Sequence, residues 1–142
     1  VQYNTDQSKK WSATAVYNTG GFYDGRRNSA FLSARFAPIP HTTLTASYEY
    51  NELKDIGLEN QNLTTNLVTV GSRFALNPRL QLSVFYQYNS FDEQARWNLR
   101  ASWEYLPLSF VYLVFNDTKI NDLDTPFQEQ QFISKVTLIR QF

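Results

Sequence analysis

His41 is the single histidine of the chain, and an imidazole is the side chain best suited to moving protons near neutral pH. It stands in Pro38-Ile39-Pro40-His41, a tight proline-marked turn, and with no cysteine present no nitrogen- or sulfur-rich metal site can be assembled around it. His41 reads as a turn residue. Asp117, Asp122, Asp124 and Glu129 could offer oxygen ligands to calcium, but their spacing is not that of an EF-hand loop, and they read as a solvated connection. Asp92-Glu93 are adjacent carboxylates; neighbours at a strand end diverge, whereas general acid/base catalysis needs two groups converging on one substrate. No catalytic, cofactor or metal site is expected, and the chain reads as a non-enzyme.

The remaining chemistry lies in charges that alternate with apolar neighbours: Arg35, Glu49, Arg73, Arg96, Arg100, Glu104 and Lys135. Only an element of period two sorts side chains in that way. In Arg96 to Tyr105, Trp97, Leu99, Ala101, Trp103 and Tyr105 share one face, while Arg96, Asn98, Arg100, Ser102 and Glu104 share the other. Leu80, Leu82, Val84, Tyr86 and Tyr88 oppose Gln81, Ser83, Gln87 and Asn89, with Phe85 the exception. Leu44, Ala46, Tyr48 and Tyr50 oppose Thr43, Thr45, Ser47, Glu49 and Asn51. Extending the pattern predicts nine strands at about 1–6, 10–18, 26–37, 42–51, 62–76, 79–90, 94–105, 108–117 and 129–142.

Composition says what surrounds such strands. Aromatic residues make up 16% of the 142 residues, more than a small water-bounded core accommodates. Lys plus Arg (13) equals Asp plus Glu (13), which leaves no net field for nucleic acid and argues against it as a partner. The longest apolar stretch, Leu106 to Phe115, contains Pro107 and Ser109 and is too short for a membrane helix, which needs about 18 apolar residues. A strand of about eleven residues tilted about 40° does span roughly 28 Å, enough for the apolar band of a membrane barrel. The predicted fold is all-β: an antiparallel transmembrane β-barrel segment over residues 1–142, the C-terminal portion of a larger barrel.

The connections support an orientation. Pro38-Ile39-Pro40-His41, Asn77-Pro78 and Leu106-Pro107 are short, whereas Thr19 to Gly25, Glu52 to Gln61, Phe91 to Gln94 and Thr118 to Gln128 are mostly longer and more polar. In outer-membrane barrels short turns are periplasmic and long loops extracellular. Tyr48, Tyr50, Tyr86, Tyr88, Trp97, Trp103 and Tyr105 are then the lipid-interface aromatics. The seven alternating charges face away from lipid, because a charge facing lipid at the midplane costs about 2–4 kcal/mol. They either line a lumen that passes solutes or form cross-strand ion pairs that hold register.

Phe132, Val136, Leu138 and Phe142 share a face that ends in a terminal Phe, which resembles the signal read by the barrel-assembly machinery. Asn98-Leu99-Arg100, Trp103-Glu104-Tyr105-Leu106-Pro107-Leu108-Ser109 and Tyr112-Leu113-Val114-Phe115-Asn116 resemble the end of the large uncharacterised outer-membrane proteins, common in Bacteroidota, that join a carbohydrate-binding-like domain to a barrel. Leu108 stands where that pattern has Gly and Phe110 where it has Asp. The resemblance implies an outer-membrane address in a Gram-negative bacterium. Together the readings give a porin-like transport role, as a pore or partner-gated conduit, or a structural, anchoring one. The expected partners are outer-membrane lipid, the assembly machinery, and other surface subunits or glycan. The competing reading is a soluble, lipocalin-like ligand-binding barrel with its apolar face inside.

Overall fold

The structure is a computed structural model that describes residues 1–56, 61–120 and 126–139. It contains nine strands: β1 (Gln2–Asn4), β2 (Trp11–Phe22), β3 (Gly25–Ile39), β4 (Thr42–Ile56), β5 (Gln61–Asn77), β6 (Leu80–Asn89), β7 (Gln94–Leu106), β8 (Ser109–Ile120) and β9 (Phe127–Thr137). They form one antiparallel sheet in sequence order, each strand pairing with the next. The sheet is open: β1 and β9 are its two edges and do not pair with each other.

Register turns the period-two pattern into two faces. Arg35 pairs with Thr45, Thr45 with Gly71, Gly71 with Phe85, and Phe85 with Asn98, so one row of a mainly polar face crosses five strands. On the opposite face Phe36 pairs with Leu44, Leu44 with Ser72, Ser72 with Val84, Val84 with Leu99, Leu99 with Phe115, and Phe115 with Phe132. Ring contacts bind this apolar face together: Trp11 stacks on Phe36 at 4.1 Å, and Tyr86 meets its cross-strand partner Trp97 at 4.5 Å. Such pairs add about 0.5–1.5 kcal/mol each beyond area burial.

Several strands differ from their sequence-based ranges, each for a local reason. Strand β1 covers three residues rather than 1–6; beyond it Asp6 closes a turn, its Oδ1 accepting from Ser8 Oγ at 2.7 Å and Ser8 N at 2.9 Å. Those bonds hold the Asp6 carboxyl below the ordinary aspartate range. The expected loop Thr19 to Gly25 is a tight hairpin: Phe22 pairs with Gly25 across Tyr23-Asp24, with Tyr23 at φ 54°. Gly25 is required there, since a Cβ would sit 2.1 Å from Lys54 O. Strands β4 and β5 run on into the expected loop Glu52 to Gln61, pairing as far as Ile56 and Gln61. The last strand runs Phe127–Thr137 rather than 129–142; Leu138 follows it, and Phe142 lies outside the described residues.

The proline turns are two residues long: Pro40-His41, Pro78-Arg79 and Pro107-Leu108. Each is preceded by a register shift, between Phe36 and Ile39, Ala75 and Asn77, and Glu104 and Leu106. Pro38 lies within the first of these shifts, where a ring without an N–H cannot join the ladder.

No hydrophobic side chain is buried among the described residues. Leu32 (56% exposed), Trp103 (52%) and Phe132 (66%) all stand on the apolar face. A soluble sheet protein would bury that face under a second layer; nothing among the described residues covers it.

Candidate functional site

The polar face carries all seven charges singled out from the sequence. Arg35 is on β3, Glu49 on β4, Arg73 on β5, Arg96, Arg100 and Glu104 on β7, and Lys135 on β9. Pairing relates them directly: Thr43, Arg73, Ser83 and Arg100 lie side by side in one row, and Gln81, Ser102, Tyr112 and Lys135 in the next.

A hollow of about 700 Å³ lies over these rows, lined by Arg73, Ser83, Arg100, Tyr112, Ile133 and Lys135 among others. A second hollow of about 430 Å³ shares Arg73 and Ser83 with the first and adds Arg35, Thr43 and Thr45. Neither lining includes a carboxylate. Val114 and Ile133 supply an apolar floor where β8 and β9 pair.

Among the described residues no cross-strand ion pair joins the charges of this face. Among the described residues the single ion pair is Lys54–Glu52 at 2.9 Å, two residues apart on β4 and on the apolar side's far rim. Arg100 and Glu104 share this face four residues apart on one strand, about 13 Å at the usual rise. Glu104 Oε1 instead accepts from Leu108 N at 2.9 Å, and Glu49 Oε1 accepts from Asn51 Nδ2 at 2.9 Å. Glu104 and Glu49 are thus engaged locally. Arg35 Nη1 reaches Gln7 O at 3.5 Å; Arg73, Arg100 and Lys135 are left facing the hollow.

Neutral amides link neighbouring strands on this face. Asn98 Nδ2 donates to Asn116 Oδ1, and Asn116 Nδ2 to Gln131 Oε1 at 3.3 Å, an amide ladder across β7, β8 and β9. The aromatics expected at a lipid interface, Tyr48, Tyr50, Tyr86, Tyr88, Trp97 and Trp103, lie on the apolar face by register, and Tyr105 keeps company with Trp103 at 6.1 Å. Tyr48 OH donates to Asn66 Oδ1 at 2.6 Å, a polar tip on an apolar body.

Of the candidate calcium ligands, the two that are described do not converge. Asp117 pairs with Gln130, and Thr118 with Glu129, so Asp117 and Glu129 point to opposite faces; Asp122 and Asp124 lie outside the described residues. No group of three metal-competent side chains occurs among the described residues. His41 is exposed in its two-residue turn. Of the presumed assembly signal, Phe132 and Val136 share the apolar face of β9, and Leu138 is 67% exposed beyond it.

Sequence reasoning missed Ser83, Ser102, Tyr112 and Ile133 as partners of the cations, because their proximity depends on register between five strands. Comparison with protein-family models, curated proteins and solved structures gave no match.

Proposed function

We propose that this sheet is a section of an outer-membrane β-barrel, with its apolar face against lipid and its polar face lining a solvent-filled conduit. One observation carries the reading: a broad face of aromatic and aliphatic side chains stands exposed, and no apolar core exists among the described residues. Lipid is the solvent in which that surface is stable. The charges within the paired strands of that face, Arg26, Glu52, Lys54, Asp117 and Lys119, all lie toward the ends opposite the proline turns, as an apolar band bounded by an external rim requires. The suspected kinship with Bacteroidota outer-membrane proteins and recognition by the assembly machinery belong to the same proposal.

In a bilayer both sheet edges must be hydrogen-bonded, so β1 and β9 are each to be flanked by a further strand. The lipocalin-like alternative would place the apolar face inside a closed barrel, yet that face is the more exposed one.

The experiment is extraction of the native polypeptide that contains this chain, with gel mobility read before and after heating, followed by reconstitution in planar bilayers. Detergent-dependent solubility, a heat-dependent shift and ion conductance are expected. Solubility in high-salt buffer without detergent would sink the membrane reading, and a folded protein that does not conduct would sink the conduit.

A further inference from the structure

The polar face is not charge-balanced where it is hollow. Arg35, Arg73, Arg100 and Lys135 occupy three adjacent rows on alternate strands, and both hollows they line lack a carboxylate. The acids of this face lie elsewhere. Glu104 is bonded to Leu108 N at the turn, Glu49 to Asn51, and Glu129 lies in the row of Arg96, beyond Thr118. Unpaired cations in a concave, low-dielectric wall raise the local concentration of anions. Guanidinium forks match the oxygens of phosphate and carboxylate two at a time. Ser83, Ser102 and Tyr112 add hydroxyl donors around the same space.

We infer that this hollow is an anion-selective site for solutes bearing phosphate or carboxylate groups, with Arg73, Arg100 and Lys135 as its principal contacts and Arg35 as the approach. The inference rests on the conduit reading for its water-filled setting and names the class of solute that passes.

The test uses the full-length native protein in detergent micelles and in planar bilayers, with inorganic phosphate as the probe. Calorimetry at low salt is expected to show saturable phosphate binding. The double variant Arg73→Ser/Arg100→Ser should weaken it at least tenfold, while Arg26→Ser, on the other face, leaves it unchanged. In bilayers the reversal potential under a salt gradient is expected to report anion preference, lost in the same double variant. Each variant is checked for heat-dependent mobility; should the double variant fail to fold, Lys135→Gln is expected to give a partial loss of both signals. Conductance without anion preference, or phosphate binding unaffected by these changes, overturns the inference and leaves the conduit standing. A folded protein that binds phosphate through these residues but does not conduct overturns the conduit and leaves the anion site.

Discussion

At the scale of single residues, turn geometry and face decide what a substitution does. Leu108 adopts φ 61° in the Pro107-Leu108 turn, a region where a side chain costs of order 1 kcal/mol or more. Leu108→Gly is expected to stabilise the folded state by about 0.5–1 kcal/mol, read as a raised urea midpoint in liposomes; an unchanged midpoint would mean the turn stores no strain. Gly25→Ala should do the reverse by about 1–3 kcal/mol, because its Cβ would meet the backbone oxygens of Lys54 and Asp55 at 2.1 and 2.7 Å. Val84 and Leu99 are direct cross-strand partners on the apolar face. Arg at either place costs about 2–4 kcal/mol against lipid and should block the heat-dependent shift. Asn98→Arg, on the polar face, disturbs only the amide ladder to Asn116, worth about 1 kcal/mol, and should still assemble. Equal tolerance of all three would show the faces to be reversed or both wet.

At the scale of elements, what was legible in the sequence was alternation, and what was not was everything that depends on pairing. The residues of β4, β6 and β7 sort by parity with Phe85 as the exception, and their faces were readable before any coordinate. Gly20-Gly21 and Tyr23-Asp24 carry turn-like composition, so the tip of the β2–β3 hairpin read as a loop; in the sheet Gly20 and Gly21 pair with Arg27 and Arg26. Cross-strand ion pairing, one of the two readings of these charges, depends on register in the same way: Glu104 meets a turn amide, Leu108 N, rather than a cation. The cationic hollow needs the register of β5 through β9, which no single strand encodes. Connection ends do yield an orientation test. The chain has no cysteine, so single cysteines report cleanly. Phe91, 62% exposed between β6 and β7, and His41, between β3 and β4, lie at opposite ends of the strands. In intact cells Phe91→Cys should react with a membrane-impermeant maleimide, and His41→Cys only after the outer membrane is permeabilised. The inverse pattern would turn the orientation over, and equal labelling would argue against spanning.

At the scale of the whole molecule, the open sheet sets the strongest constraint. Strand β9 is exposed along nearly its whole length, and its outer backbone groups have no partner strand in the sheet. Each unsatisfied backbone group costs several kcal/mol in hydrocarbon, so a bare eleven-residue edge could not persist in a bilayer. Pairing β1 with β9 would not answer this economically: β1 offers three residues, and with nine alternating strands the two edges run parallel, whereas single-chain bacterial barrels close antiparallel with an even number. On the proposed membrane reading, a barrel built on this sheet is therefore expected to hold an even number of strands above nine, with a strand outside the described sheet on each edge. Imaging the native protein in lipid nanodiscs counts the strands directly. A ring with new neighbours on β1 and β9 fits the constraint. A nine-strand sheet standing with both edges bare in lipid would contradict it, and the apolar face would then need a cover other than membrane.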